Sequence, residues 1–267
     1  MYPNNKIYQS NKSLFKSKDI FLASFPRSGN TWMRLLLSDL ILQMQGFSTN
    51  TGGNIIPDVY KVNIEQWNQD DRISQLDFRI IKTHEYYEEC YKKIIYLFRN
   101  PADSLCSFYY YKLDRIQKFI DRGIGLNQFC QDSVDQWCKH IKTYLQAQEE
   151  TSSDFLFLSY ETIKQHPIAA LQLVANFIGL KVSRVMCKQA IKNQKFKKLK
   201  KIASLEEDSI LGFNEVGGYK NFFRKGEINS AKEELSIETT QLIKSKTLRI
   251  YQQAIALESL RKIQSLK

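Results

Sequence analysis

The stretch Ser24-Phe-Pro-Arg-Ser-Gly-Asn-Thr-Trp32 connects two apolar segments of different periodicity. Before it, the run Asp19-Ile-Phe-Leu-Ala-Ser24 has the length of a buried β-strand. After it, the run Met33-Arg-Leu-Leu-Leu-Ser-Asp-Leu-Ile-Leu42 has the length and spacing of an α-helix. Pro26 and Gly29 indicate a tight turn between the two runs. The segment is therefore predicted to be a strand, a turn and a helix in immediate succession.

A turn of this kind is suited to binding a phosphate or sulfate group. Backbone N–H groups and the positive end of the helix dipole converge where the helix begins. Arg27 adds a cationic side chain, and Ser28 and Thr31 add hydroxyl donors. An ordinary strand–turn–helix unit around a buried Trp32 is the alternative. The chain has no G-x-x-x-x-G-K-[ST] sequence, and its G-x-G at 123–125 lacks the third glycine of a dinucleotide-binding fingerprint.

The size and composition of the chain are those of one folded domain. Its 267 residues, 43% of them apolar, fit a single α/β domain spanning residues 1–267. The net charge of +11 favours acidic ligands such as nucleotides or polyanions. Five cysteines without a C-x-x-C pair argue against a disulfide framework or a zinc site. The amino-terminal residues lack the apolar core of a signal peptide, and charges interrupt the longest apolar stretch, so a soluble intracellular protein is expected.

Three further apolar runs of strand length follow along the chain. They are Phe78-Arg-Ile-Ile-Lys-Thr83, Lys93-Ile-Ile-Tyr-Leu-Phe98 and Phe155-Leu-Phe-Leu-Ser159. Helical spacing predicts helices over 126–148, 168–180, 182–202 and 236–262, the third with six lysines between positions 192 and 201. Residues 46–75 and 204–218 are predicted to be loops. Strands that alternate with helices predict an α/β fold with a central parallel β-sheet flanked by helices.

Candidate ligand-binding residues follow two of these strands. Lys82-Thr83-His84 ends the second strand, at the position where α/β sheets place their ligands. Arg99 follows the third strand, and Asn100 and Pro101 suit the cap and first turn of the next helix. Ser107 lies about two turns into that helix. Arg99 with a nearby hydroxyl group is a reasonable phosphate clamp.

Four segments together resemble the sulfotransferase family. Phe25-Pro-Arg-Ser-Gly-Asn-Thr-Trp32 is similar to the loop that binds the 5′-phosphosulfate in that family, which usually reads Y-P-K-S-G-T-T-W. Lys82-Thr83-His84 matches the family motif K-T-H. Arg99-Asn-Pro-Ala-Asp-Ser-Leu-Cys-Ser107 matches the 3′-phosphate motif R-N-P-x-D-x-x-x-S, and Phe223-Arg-Lys-Gly226 resembles F-R-K-G. The resemblance extends from Asp19 to Gly226.

The resemblance implies a P-loop-like phosphosulfate-binding loop and a role for each matching residue. His84 is implied to be the general base, Lys82 to contact the sulfuryl group, and Arg27 to act as a bidentate electrostatic clamp. Trp32 and Phe196 are implied to enclose the adenine of the donor, and Tyr160, in a sequence similar to Y-E-D-x-K, to bond it. The residues implied to bind the cofactor are Arg27, Ser28, Gly29, Asn30, Thr31, Trp32, Arg99, Ser107, Tyr160, Phe196, Arg224, Lys225 and Gly226.

The chain departs from the family pattern at three places. Arg27 replaces the usual lysine, and an arginine cannot donate a proton near neutral pH. Gln194-Lys195-Phe196 stands where the family has T-S-F, which leaves the role of Gln194 open. Gly226-Glu-Ile-Asn-Ser-Ala-Lys232 stands where the family has G-x-x-G-D-W-K, so a looser or differently tethered lid is expected. The segment 232–241 echoes a dimerisation motif of the family too faintly to indicate a dimer.

By this resemblance the chain is expected to be a sulfotransferase. The implied donor is 3′-phosphoadenosine 5′-phosphosulfate (PAPS), the implied product is adenosine 3′,5′-bisphosphate (PAP), and the acceptor is a hydroxyl or amine of a small molecule. No metal, nucleic-acid partner or membrane insertion is implied, and the expected location is the cytoplasm. One alternative is a nucleotide-dependent small-molecule kinase. Another is a non-catalytic polyanion or nucleic-acid binder that uses the lysines at 192–201. The segments expected to line the acceptor site, 46–75, 85–91 and 204–218, carry no recognisable pattern.

Overall fold

The computed structural model describes residues 5–47, 55–67, 72, 76–115, 123–196, 198–200 and 223–264. Within them, four strands form one parallel sheet in the order β2-β1-β3-β4. The strands are β1 (Ile20–Ser24), β2 (Ile80–Thr83), β3 (Lys93–Phe98) and β4 (Asp154–Ser159). The chain goes from β1 to one neighbour, β2, and then crosses to the other neighbour, β3. The carboxyl ends of these three strands therefore meet at a topological switch point, where open α/β sheets bind their ligands.

The helices cover both faces of this sheet. They are α1 (Lys6–Lys12), α2 (Asn30–Met44), α3 (Ile64–Trp67), α4 (Pro101–Arg115), α5 (Leu126–Glu150), α6 (Tyr160–Gln165), α7 (Pro167–Phe177), α8 (Arg184–Asn193) and α9 (Ile237–Gln264), with a 3₁₀ turn at Ser230–Glu233. None of the helices in the described part of the chain is both long enough and apolar enough to cross a membrane.

Alternate residues of β1 separate two apolar clusters. Phe21 and Ala23 pack with residues of α4, α5 and α9, whereas Ile20 and Leu22 pack with residues of α2, α7 and α8. All five residues of β1 are buried, because helices lie against both faces of the central strand. The apolar strand runs seen in the sequence are explained by this double cover, and the predicted α/β fold class is confirmed.

The carboxy-terminal helix α9 closely matches the predicted helix over 236–262. Its buried face contains Thr239, Thr247 and Glu258 as well as apolar residues. The Glu258 carboxylate accepts hydrogen bonds from the Ser159 N–H at 3.2 Å and the Ser159 hydroxyl at 3.3 Å. The helix thus stabilises the end of β4 by polar contacts as well as by burial.

The predicted helix over 182–202 is interrupted: α8 ends at Asn193, Gln194 and Lys195 are not helical, and helical backbone returns at Phe196 and 198–200, where the Leu199 N–H donates to the Lys195 carbonyl at 3.0 Å. The Asp39 carboxylate of α2 accepts hydrogen bonds from the side-chain amides of Asn193 at 3.0 Å and Gln194 at 3.2 Å. The Gln194 carbonyl accepts a hydrogen bond from the indole N–H of Trp32 at 3.1 Å. These contacts hold the interruption at Gln194 against α2. The predicted loop at 204–218, part of the loop at 46–75, and Lys197, Lys201 and Ile202 lie outside the described residues.

Candidate active site

The loop between β1 and α2 has the geometry of an anion cradle. Gly29 precedes α2 with φ +92°, and no side chain caps the helix start. The first N–H groups of α2 are therefore left for another acceptor. The Asn30 side-chain amide donates to the Leu22 carbonyl at 3.0 Å and to the Ser24 hydroxyl at 3.1 Å. This anchors the loop to β1, so Asn30 is held at the cradle by its own side chain.

Two further features of this loop are unusual for a purely structural turn. The Ser28 hydroxyl is buried and has no hydrogen-bond partner among the described residues. Arg27 has φ +70°, a left-handed conformation that costs a non-glycine residue about 1–2 kcal/mol. Unpaired buried polar atoms and strained backbone are both rare in folded proteins and concentrate at functional sites. These two features favour a ligand-binding loop over a purely structural turn.

The residues at the end of β3 lie directly beside this loop. Asn100 caps α4, since its side-chain oxygen accepts from the N–H of Ala102 at 3.0 Å, as the sequence predicts. Arg27 Nε donates to the Ser107 hydroxyl at 3.1 Å. Arg99 Nη2 donates to the Glu227 carbonyl at 2.8 Å, while its Nε has no partner within the described part of the chain. The two predicted phosphate motifs therefore form one cationic surface.

Tyr160 joins the loop to the segment that follows Phe223. Its ring packs against Gly29, where a Cβ atom would lie 2.8 Å from the ring, and beneath Arg99, whose guanidinium carbon is 4.4 Å from the ring centroid. The Tyr160 hydroxyl donates to the Gly226 carbonyl at 3.0 Å. Gly226 in turn has φ +66°, and a Cβ there would lie 2.4 Å from the Phe196 ring. Glycine is required at both positions because an aromatic ring occupies the space of a side chain.

Trp32 and Phe196 lie on the same side of the cleft and share contacts with one apolar cluster. The Lys164 ammonium lies 5.8 Å from the Trp32 ring centroid and 5.3 Å from the Phe196 ring centroid, close to both faces. The Gln194 side chain bonds Asp39 instead of turning into the cleft. The question left open by the altered T-S-F segment is therefore answered: Gln194 fixes the position of Trp32 through its backbone carbonyl.

Residues 224–231, called the lid segment below, are held by the carboxylates of two acidic residues that the motifs did not single out as tethers. Asp103 Oδ2 and Oδ1 accept from the N–H groups of Asn229 at 2.8 Å and Ala231 at 2.9 Å. Glu234 binds Arg224 through both carboxylate oxygens, at 2.8 and 2.9 Å, and Lys225 at 3.0 Å. Burial raises the pKa of Glu234, but the hydrogen bonds from the two cations outweigh burial and lower the pKa to about 2. Carboxylates of α4 and of the residue after the 3₁₀ turn thus hold residues 224–231 in place.

His84, at the end of β2, is oriented by hydrogen bonds on both sides. Its Nδ1 lies 2.7 Å from the Ser24 carbonyl oxygen, which can only accept, so Nδ1 carries the proton. In the neutral ring Nε2 then holds the lone pair. Burial lowers the pKa of His84 well below its usual value, and the charge of Lys82 lowers it further. The Tyr60 hydroxyl accepts from the His84 N–H at 2.9 Å.

Lys82 is buried and forms an ion pair that sequence reasoning missed. Its ammonium lies 2.9 Å from Asp58 Oδ2 and 4.9 Å from the Tyr60 ring centroid. Burial lowers the pKa of Lys82, while the negative charge of the Asp58 carboxylate raises it. Asp58 and Tyr60 belong to the segment that was predicted only as a long polar loop. No motif pointed to them, because their positions depend on pairing with β2.

All these groups meet in one cleft of about 300 Å³, near the lower limit for small-ligand sites. Every predicted site residue except Ser28 lines it, and Ser28 lies buried just behind it. The cleft is also lined by residues that the sequence did not single out: Asn5, Arg34, Asp58, Tyr60, Lys61, Tyr111 and Phe223. Within the described part of the chain, no group of three or more histidine, cysteine or acidic residues is arranged to hold a metal ion.

Comparison with known proteins identifies the family. The family model described as "Sulfotransferase domain" matches residues 17–256, so the chain belongs to the sulfotransferase family. Among curated relatives, the flavonol 3-sulfotransferase of Flaveria bidentis is 29% identical over 60% of this chain and 56% of its own length. The cytosolic sulfotransferase 7 of Arabidopsis thaliana is 27% identical over 84% of this chain and 76% of its own length. The predicted family and enzyme class are thereby confirmed.

Solved structures share the fold. A crystal structure of mouse sulfotransferase SULT7A1 complexed with PAP has a TM-score of 0.66 at 20% identity, covering 96% of this chain and 94% of that chain. A retinol dehydratase, in complex with androsterone and inactive cofactor PAP, has a TM-score of 0.61 at 18% identity, covering 91% and 82%. At these identities the likeness concerns the fold alone.

Proposed function

We propose that this chain transfers a sulfuryl group from PAPS to a hydroxyl or amine of a small molecule, with His84 as the general base. The observation that carries the proposal is the tautomer of His84. Its Nδ1–H is held by the Ser24 carbonyl, so its basic nitrogen is free at the tip of β2, beside the anion cradle. His84 also stays neutral at physiological pH because its pKa is lowered.

Donor binding divides among three parts of the cleft. The N–H groups at the start of α2, with Ser28, Thr31 and Arg27, receive the 5′-phosphosulfate. Arg99 and Ser107, closed over by residues 224–226, receive the 3′-phosphate. Trp32 and Phe196 hold the adenine, and Tyr160 supports the phosphate cradle. This assignment is supported by the net charge of +11 and by the PAP complexes of the fold relatives.

In the transfer step, His84 Nε2 removes the proton of the acceptor while the acceptor oxygen or nitrogen bonds to sulfur. The bond between sulfur and the bridging oxygen of the 5′-phosphate breaks, and the electron pair leaves with PAP. A positioned base contributes about 10²–10⁴ to such a rate. Arg27 and Lys82 neutralise the charge on the sulfuryl oxygens and the leaving phosphate. Little covalent chemistry is left to the protein, so positioning dominates.

Three finer features belong to the same proposal. The chain acts as one domain over residues 1–267, it acts in the cytoplasm, and its acceptor is a small alcohol, phenol or amine. The relatives named cytosolic sulfotransferases and flavonol 3-sulfotransferase support the location and the acceptor size. No nucleic-acid partner is proposed.

The proposal is tested with ³⁵S-labelled PAPS and three acceptor classes: a phenol, an aliphatic alcohol and a primary amine. His84→Ala is expected to abolish labelled product while leaving the affinity for PAP nearly intact, because the side chain contacts the acceptor and not the nucleotide. The matched control is His166→Ala, which changes an exposed histidine between α6 and α7. Equal loss of turnover and of PAP affinity in His84→Ala would mean that His84 is structural.

A further inference from the structure

Asp58 lies outside every motif of the sequence, yet it contacts a residue central to the proposed transfer. Its Oδ2 is 2.9 Å from Lys82 Nζ, and both side chains are almost fully buried. Its other oxygen, Oδ1, accepts from the Tyr60 N–H at 3.1 Å. The carboxylate is therefore fixed at both oxygens, one to its own turn and one to the lysine.

The backbone of this segment is attached to β2 at the same place. Asp58 forms a parallel bridge with Lys82, in which the Lys82 N–H donates to the Pro57 carbonyl at 3.0 Å and the Val59 N–H donates to the Lys82 carbonyl at 3.4 Å. Tyr60 then accepts from the His84 N–H through its hydroxyl. A single turn, Pro57 to Tyr60, thus contacts both Lys82 of β2 and His84, which follows the strand.

The surroundings of Lys82 are cationic apart from Asp58. Arg34 of α2 and Lys61, which follows the turn, both lower the pKa of Lys82, as burial does. His84 follows the end of the same strand. Asp58 opposes all of these effects and favours the protonated amine. Lys82, Arg34 and Lys61 with Asp58 give a local net charge of about +2 in a buried setting. A lysine there would lose its proton easily without a carboxylate in contact.

We propose that Asp58 is a positioning residue for sulfuryl transfer, which holds the Lys82 ammonium charged and aimed at the tip of β2 where the sulfuryl group is bound. This inference rests on the proposed function for its catalytic part. The physical part, the control of Lys82 by Asp58, stands on the ion pair, the bridge and the local charges alone. A purely structural ion pair is the rival explanation, and the chain contains a suitable example of one.

Asp19 supplies the matched control. Its carboxylate is buried and binds Arg79 at 2.7 and 2.6 Å, at the amino end of β1, the end of the sheet away from the cleft. Asp19→Asn and Asp58→Asn each leave one buried cation without its carboxylate. Both variants should lose stability, since unpairing a buried ion pair is costly. Only Asp58→Asn should change the pH at which Lys82 loses its proton.

The first experiment measures Lys82 directly and needs no turnover. Trace labelling with acetic anhydride across a pH series, followed by peptide mass spectrometry, gives the pH at which Lys82 becomes reactive. In Asp58→Asn this pH should fall relative to the wild type, because the carboxylate that favours the protonated amine is lost. In Asp19→Asn it should not move. An unchanged Lys82 profile in folded Asp58→Asn protein would overturn the inference.

The second experiment measures labelled transfer from PAPS to the best acceptor of the panel above. Asp58→Asn should lower kcat by about ten- to a hundredfold, less than the 10²–10³ typical of losing an electrostatic group outright. It should also move the alkaline fall in activity to lower pH and leave the PAP Kd within about threefold. Asp58→Glu should recover part of kcat.

A double variant separates action through Lys82 from general damage. If Asp58 works through Lys82, then Asp58→Asn combined with Lys82→Met should be no slower than Lys82→Met alone. Additive losses, or a kcat in Asp58→Asn equal to that in Asp19→Asn, would refute the positioning role. Absence of transfer by the wild type to every acceptor would instead refute the proposed function, and the labelling result would still decide the control of Lys82.

Discussion

Replacing Gly29 by alanine tests whether the anion cradle depends on the packing of Tyr160. The added Cβ would lie 2.8 Å from Cδ2 and 3.5 Å from Cε2 of the Tyr160 ring, in a backbone conformation with φ +92°. The first distance is shorter than any ordinary contact, so the ring must move. That ring also holds Arg99 at 4.4 Å and donates its hydroxyl to Gly226 at 3.0 Å. The substitution therefore disturbs the phosphate site from behind.

The expected cost follows from three contributions. The left-handed backbone costs alanine about 1–2 kcal/mol. Loss of the Tyr160–Gly226 hydrogen bond costs about 0.5–1.5 kcal/mol, and loss of the contact with Arg99 costs about 0.5–1 kcal/mol. The free energy of unfolding should thus fall by about 2–4.5 kcal/mol. Because Arg99 loses its support, the Kd for PAP should rise at least about tenfold, which corresponds to 1.4 kcal/mol.

Gly179→Ala is the matched control for the backbone contribution. Gly179 has φ +84°, nearly the same conformation, and no described atom lies within 4 Å of its added Cβ. It should lose only about 1–2 kcal/mol of stability and keep its PAP affinity. Urea unfolding measures the first quantity and isothermal titration calorimetry with PAP the second. If the two variants lose equal stability, or if Gly29→Ala binds PAP as the wild type does, the role given to Tyr160 is refuted.

Two further predictions concern the phosphates and pH. Arg99→Gln and Ser107→Ala should weaken binding of PAP, by up to about 1.5–3 kcal/mol for the arginine, and barely change binding of adenosine 5′-monophosphate, because both residues face the 3′-phosphate; equal losses for both nucleotides in calorimetry would contradict this assignment. Because the pKa of His84 is lowered, kcat should stay level as pH falls through about 6.5, where an ordinary histidine becomes protonated. A pH–rate profile at constant ionic strength measures this, and a fall in kcat centred near that pH would show that the pKa of the catalytic base is not lowered.

The donor side of the site could be predicted from sequence because its chemistry is local. The cradle is made of backbone N–H groups at the junction of β1 and α2, and Pro26, Gly29 and the flanking apolar runs determine that junction. The cap at Asn100 is likewise a short-range signal. Residues such as these sit within one turn of a strand end, so the same few positions specify both the fold and the anion site.

The parts that sequence reasoning missed depend on contacts between distant segments. Asp58 reaches Lys82 only because its turn adds a parallel bridge to β2, and Glu234 reaches Arg224 only because a 3₁₀ turn follows the lid. The interruption of the predicted helix at Gln194 was missed for the same reason: helical periodicity continues through this position, but the Gln194 side chain and carbonyl contact Asp39 and Trp32 of α2. Periodicity describes one segment at a time and contains no information about these partners.

This division explains why the donor could be inferred and the acceptor could not. The groups proposed to bind the donor are held at the ends of β1 and β3, whose register is fixed by the sheet pairing of Ser24 with Leu97. On the proposed function the acceptor approaches His84, and the lining residues Asn5, Tyr60 and Lys61 come from segments outside the motifs. No motif specifies these side chains, so the sequence contains no short-range signal for the acceptor. Asp58 joins the two sides, because it belongs to the same segment as Tyr60 and Lys61 and contacts Lys82 of the proposed transfer site.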